Sequence, residues 1–68
     1  MNINPKQVKN IINFIGSYPV ESIPPPNGST IKVITDNFNV YKVNYHLKRF
    51  VCIRGQMNKE EKVIAWKY

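Results

Sequence analysis

Few side chains in this 68-residue chain are reactive, and their number limits what they can do together. There is one histidine (His46), one cysteine (Cys52), one aspartate (Asp36) and three glutamates (Glu21, Glu60, Glu61). A hydrolytic triad needs Ser, His and a carboxylate to converge, and a single His with a single Asp leaves no redundancy for it. His46 beside Lys48, Arg49 and a tyrosine has the residue types for metal-free phosphodiester cleavage, with the imidazole as base and the cations on the phosphorane. The same residues also describe an ordinary exposed histidine at a hairpin end, and no enzyme activity is expected. One Cys forms no internal disulfide, and one Cys with one His is too few ligands for zinc, so neither metal nor cofactor is expected. Cys52, within FVCIR, reads as a small apolar residue rather than a nucleophile. Glu60 and Glu61 are adjacent in a charged loop, and no glycine-rich phosphate loop of known spacing occurs. The helix start carries Lys6 and Lys9 without an acid, which leaves its N–H groups for a phosphate unless Asn4 caps them.

Binding is the chemistry that remains. Between Lys32 and Arg54 five basic side chains (Lys32, Lys42, Lys48, Arg49, Arg54) stand against one acid, Asp36, a local balance of +4 within a total of +6. Tyr41, Tyr45, Phe50 and, further on, Trp66 are interleaved with them or join them in strand positions. Rings that stack on bases, at ~1–3 kcal/mol each, beside cations that hold phosphates are how sheets bind single-stranded nucleic acid. The candidate site is therefore Tyr41, Lys42, Tyr45, Lys48, Arg49, Phe50, Arg54 and Trp66, and the expected function is non-enzymatic binding of single-stranded RNA or DNA. The competing structural account is that the rings fill the core and only the tyrosine hydroxyls reach the rim. The alternative function is a small protein-interaction or inhibitor factor, of viral or mobile-element type, acting on a host protein, since exposed aromatics with Arg also make protein hot spots. Asn and Ile occur nine times each and Lys eight, all with A/T-rich codons, so part of the basic charge has an explanation in base composition.

These residues need a scaffold, and the chain is long enough for one domain, residues 1–68, with a marginal core. The only helix pattern covers about residues 5–15. Asn4 suits the N-cap and Pro5 the first turn; Val8, Ile11, Ile12 and Ile15 form an apolar stripe widened by Phe14; Gly16 suits the left-handed residue after the helix. Residues 17–29 are a connector, stiffened by Pro19 and Pro24–Pro26 and turned by Asn27–Gly28, with Val20–Ile23 available as an edge strand. Strand patterns follow at about 30–35, 40–47, 50–54 and 62–67. The expected fold is α+β, with one N-terminal helix packed on a small antiparallel sheet of three to five strands in a meander.

Alternation along the second of these strands puts Tyr41, Val43, Tyr45 and Leu47 on one side and Val40, Lys42, Asn44 and His46 on the other. A two-residue turn at Lys48–Arg49 would pair Leu47 with Phe50 and Tyr45 with Cys52, with Arg54 on the tyrosine side and Val51 and Ile53 on the His46 side. The helix stripe is expected to bury Ile31, Val33, Val51 and Ile53, with Val63 or Ile64, and to leave some of Tyr41, Tyr45, Phe50 and Trp66 open beside Lys42, Arg49 and Arg54. A homodimer through the open face or an edge strand is possible in so small a fold. No run reaches the ~18 apolar residues of a membrane span, no membrane partner is expected, and no secretory leader is read. The expected setting is intracellular and reducing: cytoplasmic, or the host cytoplasm if the protein is viral.

Overall fold

The computed structural model describes residues 4–68. Helix α1 (Pro5–Asn13) is followed by five strands: β1 (Tyr18–Pro19), β2 (Ser29–Thr35), β3 (Val40–His46), β4 (Arg49–Cys52) and β5 (Val63–Lys67). All pairings are antiparallel, in the order β1-β5-β2-β3-β4. The class is α+β, as the patterns require. Only β2–β3–β4 is a meander, however. β5 returns past the hairpin to the far side of β2, which becomes the central strand, and the edge strand is the two-residue β1 rather than Val20–Ile23. Pro19 on that edge removes a donor that a further strand would need.

The helix begins where its signals place it. Asn4 Oδ1 accepts from the Gln7 N–H at 2.8 Å, and Gln7 Oε1 accepts from the Asn4 N–H at 3.1 Å, a reciprocal capping box. The face it turns to the sheet differs from the expected one. Gln7 Nε2 donates to the Asn37 carbonyl and Asn10 Nδ2 to that of Phe38, at 2.9 and 3.0 Å, while Ile11 is half-buried and Phe14 is buried. Positions 7, 10, 11 and 14 therefore face the body, and Val8, Ile12 and Ile15 point away, at 44%, 58% and 79% exposure. The two amides satisfy carbonyls of the β2–β3 turn that have few other partners, and the largest apolar side chain of the segment takes the buried place. Together these rotate the helix by about one residue from the docking that its isoleucines suggest.

The core lies on the opposite face of the sheet. Ile31, Val33, Val43, Val63 and Trp66 form one buried cluster, with Tyr41, Tyr45, Phe50, Cys52, Val20 and Met57 packed around it. No helix covers this face. The connector after β1 crosses it, with Pro25 buried and the Ile23 carbonyl accepting from Trp66 Nε1 at 2.6 Å. The loop before β5 crosses it from the other side, bringing Met57 and Glu61 inward. Prolines suit the crossing segment because they bury rigid apolar surface with no N–H left to satisfy. The helix covers one end of the other face, where Phe14 and Ile34 are buried apart from the main cluster.

Candidate polyanion-binding face

The hairpin that carries most of the charge turns at Leu47–Lys48, one residue before the expected Lys48–Arg49. It pairs His46 with Arg49, Tyr45 with Phe50 and Val43 with Cys52. Sliding the turn by one position in both strands leaves the faces unchanged, so Tyr45, Phe50 and Cys52 share a side, and Val51 and His46 the other. Both turn residues are left-handed, at φ 50° and 63°, in positions that favour Asn-Gly. The connector holds this turn in place. Asn27 Oδ1 accepts from the Leu47 N–H at 2.8 Å, and the Gly28 N–H, in a residue at φ 83°, donates to the Tyr45 carbonyl at 2.6 Å.

The rings of the expected site lie on the roofed face. Trp66 is 3% exposed and packs at 4.8 Å from Tyr18 and edge-on at 5.3 Å from Tyr68. Tyr45 and Phe50 are tilted against each other at 4.9 Å, both half-buried. The Tyr41 hydroxyl donates to Glu61 Oε2 at 2.6 Å, and this bond above all raises its pKa, with burial adding to it. Glu61 also accepts from Asn39 Nδ2 at 2.6 Å, Thr35 Oγ1 at 3.0 Å and the Asn58 N–H at 3.1 Å. The Tyr41 bond, followed by those from Asn39, Asn58 and Thr35, outweighs partial desolvation and lowers the carboxyl from its ordinary 4.5 to about 2. Trp66 and Tyr41 thus tie the roof to the sheet, while Tyr45 and Phe50 pack against the core from the rim and border surface grooves. The arrangement with open rings beside Lys42 is replaced by one in which rings and lysines occupy opposite faces.

The open face carries the cations. Register sets Lys32 opposite Lys42 on one side and opposite Lys67 on the other, so three lysines stand abreast on β5, β2 and β3. Adjacent strands are about 4.8 Å apart, and like charges in directly opposed positions destabilise a sheet. Lys67 is partly committed, because its ammonium donates to the Asn13 carbonyl at the helix end and lies 5.3 Å from the centre of the Phe14 ring. Among the described residues the one ion pair is Lys62–Glu21, which leaves Lys32 and Lys42 without a carboxylate.

Beside the row, Lys42 and Arg54 line a shallow cleft with Ile53. Thr30 Oγ1 donates to Asn44 Oδ1 at 2.7 Å on the same face, and Asn44, His46, Val51 and Ile53 are exposed there. Val51, on β4, and Ile53, just after it, were expected under the helix, but both are exposed at the sheet edge away from it. Arg49 sits at the rim: it is opposite His46 in register, yet it also borders a groove with Phe50 and Met57. Lys48 stands apart at the turn, beside a groove formed with Pro24, Pro25 and Tyr45.

Of the expected site, the structure brings together Lys42 with Arg54, Arg49 with Phe50 and Lys48 with Tyr45, and separates Lys42 and Arg54 from the four rings. Lys32 entered the sequence reading only as charge, and Lys67 not at all. Their signal was present in the alternation of TIKVIT and VIAWKY, which opposes each lysine to core residues, but the row itself exists only once the register is known. His46 and Cys52 lie on opposite faces of the hairpin, so they form no pair. Among the described residues no three of His, Cys, Asp and Glu converge. No family model matches this sequence, and no curated protein or solved structure matches it either.

Proposed function

We propose that the protein binds nucleic acid through the sugar-phosphate backbone, without catalysis, on the open lysine face. The observation that supports this reading is the Lys67–Lys32–Lys42 row. It is a costly arrangement on a central strand, lacks acidic partners at Lys32 and Lys42, and is the kind of arrangement that a polyanion offsets. Because the rings are committed to the opposite face, affinity comes from charge with little stacking, and base identity is read weakly.

The test is a salt titration of binding to mixed-sequence single-stranded and duplex oligonucleotides. With about three phosphate contacts the log–log slope is roughly −2 for a single strand and nearer −3 for a duplex. Replacing Lys32 or Lys42 with Ala should flatten the slope by a little under one unit each while the fold is retained. Affinity and slope that are unchanged in the Lys32→Ala/Lys42→Ala double variant would refute the proposal.

A further inference from the structure

The two edges of the sheet are built differently. On one side it ends in β1, two residues long and half proline. On the other it ends in β4, and the Ile53 N–H, donating to the Lys42 carbonyl at 3.0 Å, carries the β3–β4 ladder one residue beyond Cys52. In an antiparallel pair, alternate residues give both backbone groups to the neighbour, and the residues between them give both to the other side. The two-residue turn makes His46–Arg49 a bonded pair, and the Ile53 bond has the same parity, so Arg49, Val51 and Ile53 bond to β3. Phe50 and Cys52 therefore aim their N–H and C=O groups outward, and among the described residues nothing bonds to them. Between Arg49 and Arg54 there is no proline, charge or bulge, the usual guards of an open edge. Val51 and Ile53 stand beside this edge at 57% and 49% exposure.

We propose that the β4 edge receives an extended, acidic segment of a partner protein as a sixth strand of the sheet. The free backbone groups specify a strand, and the charge around them specifies its type. Residues 37–59 include five basic side chains and no acid, and Arg49 and Arg54, both exposed, bracket the apolar run 50–53. Glu61 borders the groove beside Arg49 and Phe50, but its oxygens already carry four hydrogen bonds. A fitting segment has two or three apolar or β-branched residues, to lie along Val51 and Ile53 on one face and Phe50 and Cys52 on the other, with Asp or Glu at each end. A second copy fits less well. Pairing the Val51 positions of two chains would gather Arg49 and Arg54 of both along one seam, in a chain of net charge +6. A nucleic-acid strand has no row of N–H and C=O groups at strand spacing.

The experiment is amide hydrogen exchange followed by NMR, with and without the synthetic peptide acetyl-Asp-Glu-Val-Thr-Ile-Glu-Asp-amide at up to millimolar concentration. In the free protein the Phe50 and Cys52 amides should exchange fast and those of Val51 and Ile53 slowly. Near saturation the peptide should slow exchange at Phe50 and Cys52 about tenfold. The same peptide methylated on its Val, Thr and Ile nitrogens keeps its charge and side chains but loses its donors, and should leave both rates unchanged. The Arg49→Ala/Arg54→Ala variant should bind the unmethylated peptide about tenfold more weakly and keep the parent melting temperature, because both side chains are exposed. The proposal is overturned if the peptide fails to protect the two amides, or if the methylated peptide protects them equally, which is simple charge adsorption. It is also overturned if they are protected in the free protein. Protection that grows with protein concentration would mean that a second copy closes the edge, and protection independent of it that the chain closes it itself. Unchanged affinity in the arginine variant would remove the acidic segment as the occupant. No nucleic acid enters the experiment, so the lysine-face proposal stands or falls separately.

Discussion

Replacing Glu61 with Gln should remove one of the main ties between the roof and the sheet. The carboxylate takes four hydrogen bonds, two on each oxygen: Thr35 and Asn39 on Oε1, Tyr41 and Asn58 on Oε2. Glutamine keeps the first pair. At the second position it presents an NH₂ group; the Tyr41 hydroxyl can turn to accept from it, but the Asn58 N–H is left facing a donor. Lowering the pKa from 4.5 to about 2 corresponds to at most ~3 kcal/mol of preference for the charged form. The carboxylate is only half-buried, and solvent screening reduces the usable part to about 1–2 kcal/mol. For a domain of this size that is a fall in melting temperature of roughly 5–15 °C.

The direction with pH follows from the depressed value. The folded state binds its proton more weakly than the unfolded state, so the contribution is complete above about pH 4.5 and is lost as pH falls through about 2. Urea unfolding of parent and Glu61→Gln at neutral pH, at pH 4 and near pH 2 measures it, and the other carboxylates cancel in the difference. The gap should be full at the first pH, nearly full at the second and smallest at the third. A gap that does not change with pH would show that the charge on Glu61 does not hold the roof.

Two further variants test the open face and its hairpin. Leu47→Asn with Lys48→Gly places the preferred pair at two left-handed positions and should raise stability by about 1–2 kcal/mol, read as a higher melting temperature. The anchor to Asn27 uses the backbone N–H of residue 47 and survives the change; an unchanged or lower melting point would show that the turn is not strained. Lys42→Glu converts a like-charged opposed pair with Lys32 into an attractive one. It should raise stability by ~0.5 kcal/mol at low salt, less at high salt, while weakening nucleic-acid binding. Loss of stability at low salt would contradict the register argument.

The legible parts of this fold were those encoded by neighbours in sequence. Asn4, Pro5 and Gln7 specify a helix start through contacts three residues apart, and alternation in Val40–His46 places Tyr45 and Lys42 on opposite faces whatever the strand pairs with. The faces of the hairpin survived a shifted turn because the slide kept the parity of the pairing. What was not legible depended on distant partners. The helix stripe was read from hydrophobicity, but its docking face is set by two amides reaching carbonyls about 30 residues away. The closed face of the sheet was assigned to the helix, whereas prolines and a carboxylate network close it, a role that composition does not announce. The lysine row needed β5 to be placed beside β2, and chain order alone suggested a place beside β4.

The insertion of β5 between β1 and β2 also has a consequence for partly unfolded states of the chain. The β2–β3–β4 meander is made of neighbours in sequence, whereas β5, with the Trp66 that anchors the core cluster and binds the Ile23 carbonyl, joins from the far end of the chain. Whenever β5 is undocked, the meander has no roof tied to tryptophan and β2 has an open edge. That edge carries Val33 and Ile34, an aggregation-prone sequence for as long as it is unpaired. Loss of β5 therefore turns the most buried strand into the most exposed edge. The lysine placed in the middle of that strand, facing away from the core, keeps the edge charged until β5 returns.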